Sequence, residues 1–135
     1  MIIGIPKETT DQEFRVGITP AGVSSLAQQG HRVLIEKTAG VGSGISDTDY
    51  SDEGAEMVSN PNIIFSSSDL VVKVKELQAS EWHLLHPNLT TLSFLSLGSN
   101  LPLAEVLLKN KVTTVAYETI ELNDGSLPIL KPMSA

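Results

Sequence analysis

The lysines of VVKVKE (Val71–Glu76), Lys73 and Lys75, sit two positions apart inside an otherwise apolar run. That spacing puts both on one face of a strand, near its carboxyl end. Strands of a parallel sheet are covered on both faces, and a lysine is rarely enclosed there without a partner. The carboxyl ends of such strands are also where α/β sheets take ligands. Arg15, in EFRVG (Glu13–Gly17), follows the first strand and its loop, so it can converge on the same rim. Arginine grips a small carboxylate bidentately, and lysine can reach a carbonyl oxygen beside it. Carboxylate binding stands here beside a plainer reading, in which these cations snorkel or form surface ion pairs.

Other chemistry-bearing types give less. AGVGSG (Ala39–Gly44) has G-x-G-x-G spacing instead of the G-x-G-x-x-G of a dinucleotide loop, and the acidic ISDTD (Ile45–Asp49) follows it. A pyrophosphate wants a neutral helix N-terminus, so a structural turn is expected. His83 and His86 in WHLLH (Trp82–His86) have i, i+3 spacing but lack a nearby third metal ligand, and read as helix-end or surface residues. His31, beside Gly30, reads as a partner of a helix C-terminus. Ser96, in TLSFLSLGSN (Thr91–Asn100), lies outside any G-x-S-x-G elbow and has no evident base, which argues against a serine hydrolase.

These groups need elements to carry them. Five β-rich runs recur: Ile2–Ile5, Val33–Glu36, Leu70–Val74, Leu92–Leu95 and Thr114–Tyr117, with a shorter strand at Glu56–Val58. Between them the sequence predicts helical segments at Ala21–Gln29, Asp47–Gly54, Pro61–Ser66, Ala79–Leu85 and Pro102–Asn110. Thr19 before Pro20 is an N-cap signal, and Gly30 is a stop signal. The alternation implies a largely parallel sheet with helices on both faces. In the last third, Asp124-Gly125 stands between apolar runs in IELNDGSLPI (Ile120–Ile129), a β-hairpin signal.

The bulk properties set outer bounds. The 135 residues are 41% hydrophobic and 19% charged, as in a folded single domain. A net charge of −7, with nine scattered basic residues, argues against binding nucleic acid. The absence of cysteine removes disulfides and thiolate chemistry. Met1–Glu8 lacks the pattern of a signal peptide, and no apolar run approaches membrane-span length. The expectation is a cytoplasmic protein with no membrane and no nucleic-acid partner.

Several blocks run in order along nearly the whole chain: IIGIPKE (Ile2–Glu8), RVGITPAGV (Arg15–Val23), GHRV (Gly30–Val33), AGVGSG (Ala39–Gly44), DLVVKVKE (Asp69–Glu76) and YET (Tyr117–Thr119). Together they resemble the N-terminal domain of the alanine dehydrogenase and nicotinamide nucleotide transhydrogenase family. LNDGSLPILKPMS (Leu122–Ser134) is similar to the alanine dehydrogenase branch. The resemblance implies one α/β domain over residues 1–135. Its fold would be a flavodoxin/Rossmann-like three-layer domain with a mainly parallel sheet and a C-terminal β-hairpin. In the family this domain binds substrate, and a separate Rossmann domain holds NAD, so no cofactor is expected here. The implied reaction is reversible oxidative deamination of L-alanine to pyruvate and ammonium. By the same resemblance Arg15 holds the substrate carboxylate, Lys75 binds the substrate oxygen and Met133 lines the pocket.

Two departures from the family follow. The family places a histidine general acid/base where FLSL (Phe94–Leu97) has Ser96, and a hydroxyl does not titrate near neutral pH. The family also continues past this point into the nucleotide domain and returns with a segment that completes this one. Without it an apolar patch is expected to drive self-association or docking to a separate NAD-binding domain. The chain by itself is thus expected to be inactive. Its alternatives are a non-catalytic carboxylate-binding or oligomerisation module, or one half of a split enzyme.

Overall fold

The computed structural model describes residues 1–129. Six strands form one sheet: β1 (Ile2–Ile5), β2 (Arg32–Glu36), β3 (Glu56–Val58), β4 (Leu70–Val72), β5 (Thr90–Ser93) and β6 (Thr113–Ala116). All pairings are parallel, in the order β3-β2-β1-β4-β5-β6. The chain starts in the middle, winds out to β3, then crosses back to β4. That reversal leaves a crevice between the carboxyl ends of β1 and β4, where open α/β sheets place their ligands.

Local signals explain the helices. In α1 (Pro20–Gln28), the Thr19 side chain accepts the Gly22 N–H, and proline occupies the first turn. The helix ends in a Schellman pattern: Gly30 N–H donates to the Ala27 carbonyl and His31 N–H to the Leu26 carbonyl. Gly30 takes φ +88°, the left-handed value that makes glycine suitable there. α2 (Asp47–Asp52) and α3 (Pro61–Ser67) have Ser46 and Asn60 as caps. α4 (Leu101–Lys109) begins where the Asn100 side chain accepts the Leu103 N–H. Val23 and Tyr50, from α1 and α2, pack with Ile3, Ile5, Val33 and Ile35 on one sheet face. Phe65, Leu103 and Leu107, from α3 and α4, pack with Val71 on the other.

On the first face, the half belonging to β4, β5 and β6 is less covered. Leu92 is half-buried and Val115 is 43% exposed, beside an apolar hollow of about 280 Å³.

Three expectations shift in detail. Ala79–Leu84 is a 3₁₀ helix and not an α-helix, because Pro87 disfavours the α region at His86 and the segment has no length to propagate. β4 stops at Val72, and β5 and β6 begin earlier than their most apolar residues, since register with the neighbours sets their limits. At Asp124-Gly125 a tight turn forms, with Leu122 N–H donating to the Ser126 carbonyl. Gly125 takes φ +84°. The described residues flanking it carry no strand.

Candidate functional site

The site begins where β1 ends. Pro6 has no N–H to continue a ladder, and the chain turns away into the segment carrying Glu8, Glu13 and Arg15. Opposite it, the chain runs on past the end of β4 at Val72 without a β1 partner. Lys73 N–H still donates to the Leu92 carbonyl, and Phe94 N–H to the Val74 carbonyl, so the β5 side stays bonded. On the β1 side a side chain takes over. The Glu8 carboxylate accepts the Val74 N–H at 3.2 Å and the Lys75 N–H at 2.9 Å.

The structure separates the two lysines. Lys73 has 1% of its side chain exposed. It donates to Glu81 at 3.0 Å and lies 3.6 Å from Glu8. Glu81 also accepts the Gln78 N–H at 2.8 Å, tying the 3₁₀ helix to the cluster. Lys73 is thus an internal ion-pair partner. Lys75 is half-buried at the rim.

Arg15 is 47% exposed, and Glu13 grips it through Nε at 2.7 Å and Nη2 at 2.8 Å. Arg15 holds the Glu13 carboxyl below its usual range, mainly through that hydrogen bond, and Lys75 contributes to the same lowering. The two candidate cations therefore act on one carboxylate. Arg15 and Glu8 line a cleft of about 530 Å³ that also includes Lys7, Thr38 and Gly42. Lys75 is not on the wall of this cleft. Burial pushes Glu8 up from its ordinary 4.5, against the pull of Lys73 and the two backbone N–H groups. Burial likewise raises Glu36, which accepts the Lys7 N–H.

Close packing locks the Arg15 segment. A Cβ on Gly17 would fall 2.9 Å from the Val72 carbonyl oxygen, and one on Gly42 would fall 3.0 Å from Phe14 Cβ. Ser43 Oγ donates to the Phe14 carbonyl at 2.6 Å. AGVGSG is therefore a buttress, with a 3₁₀ turn at Val41–Ser43 against the arginine loop. The helix after it does not suit a dinucleotide. Asp47 and Asp49 fill the first turn of α2, and Ser46 and Asp49 exchange hydrogen bonds with each other's backbone N–H. Those charges repel a pyrophosphate and use donors it would need. The described residues do not fit NAD.

Ser96 lies in a second hollow of about 300 Å³, shared with Glu118. Its backbone is left-handed, φ +50° and ψ +41°, which costs a residue with a Cβ about 1–2 kcal/mol. Both Glu118 oxygens accept the neighbouring Leu95 N–H, at 2.9 and 3.2 Å, and hold the strand end in place. Phe94 and Tyr117 stack edge to face with centroids 5.1 Å apart. Burial pushes the Tyr117 hydroxyl up to about 12. Met133 lies outside the described residues.

The histidines stand apart from the rim. His86 faces the Phe65 and Pro87 carbonyl oxygens with its ring nitrogens, and His31 meets the N-terminal amine. Sequence reasoning missed Glu8, Glu81 and Glu118. The signal for the first two was the enclosed lysine itself, which required partners.

The family described as "Alanine dehydrogenase/PNT, N-terminal domain" matches residues 4–135. Alanine dehydrogenase of Bilophila wadsworthia is 48% identical over 134 residues, covering 99% of this chain and 35% of its own. That of Mycobacterium tuberculosis H37Rv is 44% identical, with 99% and 36% covered. The chain thus spans about a third of the length of these relatives. A solved L-alanine dehydrogenase superposes with a TM-score of 0.96 at 43% identity, over 99% of this chain and 37% of that one. A transhydrogenase from Sinorhizobium meliloti gives 0.81 at 26% identity, over 87% and 35%. No helix among the described residues is long and apolar enough to cross a membrane. With nearly every residue inside the match and the fold superposing along its length, the chain belongs to the alanine dehydrogenase/transhydrogenase N-terminal domain family.

Proposed function

We propose that this chain is the substrate-binding domain of an alanine dehydrogenase, and that its rim takes the carboxylate of pyruvate or alanine. The observation that carries the reading is the Arg15 guanidinium on the wall of the cleft past β1, where it already holds the Glu13 carboxylate through Nε at 2.7 Å and Nη2 at 2.8 Å. A guanidinium that pairs with one carboxylate in this two-bond geometry has the donors a substrate carboxylate needs. In this reading Arg15 holds the substrate carboxylate and Lys75 donates to the keto oxygen. NAD supplies the hydride acceptor from outside these residues, in a further domain of the relatives' length.

Ser96 limits the chemistry. The family has a histidine at this position, and its loss removes a group that titrates near neutral pH. A hydroxyl can donate to the keto oxygen but cannot pass a proton readily, which lowers turnover by about 10²–10⁴. This same residue favours a second reading, a carboxylate-binding module that performs no hydride transfer. In either case the less covered sheet face beside Val115 supports self-association or docking to a separate NAD-binding domain.

Calorimetric titration with pyruvate tests the binding claim. Saturable binding that is lost in Arg15→Ala and weakened in Lys75→Met is the expected result. No saturable heat, or heat that both variants retain, overturns it.

A further inference from the structure

We propose that Glu8 is a positioning residue for the carboxylate rim: its buried side chain stands in for a strand and fixes the direction in which Lys75 leaves the sheet. This rests on the reading of Lys75 as a ligand-contacting group.

The sheet has a gap in its ladder beyond Gly4 and Val71. β1 pairs with β4 only at Ile3–Leu70 and Gly4–Val71, and the chain turns away at Pro6. Val74 would then leave a buried N–H donor without a partner, and Lys75 a part-buried one. Glu8 fills the gap with one carboxylate that accepts both N–H groups. Such charge-assisted bonds are roughly twice as strong as the neutral bonds they replace. The Lys75 backbone is therefore clamped next to the rim, while its side chain stays half-buried.

Glu8 is itself held from behind. Lys73 stands 3.6 Å from it and bonds Glu81, which is anchored by the Gln78 N–H. The charged and titratable groups around the cluster are Glu36, Arg15 and Tyr117, each of which interacts electrostatically with Glu8, Lys73 or Glu81. Two buried carboxylates against one ammonium is an unusual composition for a merely structural core. A neutral, apolar packing would close the same space without burying charge. Of Glu8, Lys73 and Glu81, Glu8 is the one that lines the cleft among the described residues, beside Arg15.

The test uses Glu8→Gln, Lys75→Met and the double variant. Amide hydrogen exchange reads the clamp, and calorimetry with pyruvate reads the rim. In Glu8→Gln the Val74 and Lys75 amides should exchange about 10–100-fold faster, the loss of one charge-assisted bond. The Val33 and Ile35 amides should hold their rates. Pyruvate should bind about tenfold more weakly to Glu8→Gln. If Glu8 acts through Lys75, adding Glu8→Gln to Lys75→Met should weaken binding no further.

Additive losses would overturn the positioning role, as would unchanged exchange at Val74 and Lys75. A purely structural contribution would speed exchange throughout the sheet and would also count against it. Should the unsubstituted chain fail to bind pyruvate, the carboxylate reading falls, and the exchange rates alone decide whether Glu8 clamps the Lys75 backbone.

Discussion

Replacing Lys73 with methionine keeps an unbranched side chain one atom shorter and removes the charge from between Glu8 and Glu81. At 3.0 and 3.6 Å, each attraction is worth about 5 kcal/mol at an effective dielectric near 20. Repulsion between the two carboxylates and the loss of hydration cancel much of that sum. The relevant comparison is with buried pairs broken from one side, which lose about 3–5 kcal/mol because the remaining charge is stranded. A domain of this size has about 5–15 kcal/mol in total, so Lys73→Met should remain folded but only narrowly. Urea unfolding at pH 7 should show the midpoint falling by about 2 M, for a slope near 2 kcal/mol/M.

The loss should also depend on pH. Burial already raises the Glu8 carboxyl, and Lys73 is the main group opposing that rise. Without Lys73 the folded state holds the Glu8 proton to higher pH than the unfolded chain does. Stability from that proton is present below the ordinary value and lost as pH rises through the folded one. Lys73→Met should therefore recover stability as pH falls from 7 toward 5. A loss below about 1 kcal/mol at pH 7 would mean the cluster is hydrated and the burial argument wrong. A loss that grows on acidification would refute it equally.

Other outcomes follow from single contacts. Thr19→Ala should cost about 1 kcal/mol in urea unfolding through loss of the α1 cap. Gly17→Ala should cost about 1–3 kcal/mol and weaken pyruvate binding together, because its methyl would push the Arg15 loop off the Val72 carbonyl. Ser96→His should make pyruvate binding depend on pH, tighter below about 6.5 where the new imidazole is cationic, while the unsubstituted chain stays flat from pH 6 to 8. Calorimetry across that range checks it.

Much of the fold was legible because its signals are local. Thr19-Pro20 and Gly30 bracket α1, and β-branched runs alternate with helical segments. The strand ends were less legible, because they depend on partners distant in sequence. VVKVKE reads as strand through Val74, and only the turn at Pro6 and the reach of Glu8 end β4 earlier. The same distance hid the site's carboxylates. Glu8, Glu81 and Glu118 each meet a backbone or lysine partner from another segment, and period and propensity carry no trace of that. Lys73 and Lys75 looked equivalent at two-residue spacing. Burial assigns one to the interior and one to the rim. AGVGSG read correctly as a turn, but its service to Phe14 and Arg15 required three dimensions.

In the proposed reading, Arg15 and Lys75 take a carboxylate at the crevice between β1 and β4. Proton–nitrogen NMR of the chain titrated with pyruvate tests it most directly. The largest shifts should fall on the Arg15 Nε–H, now held by Glu13 at 2.7 Å, and on the amides of Glu13–Gly17 and Lys75. Shifts concentrated near Leu92 and Val115, or none up to millimolar pyruvate, would contradict it.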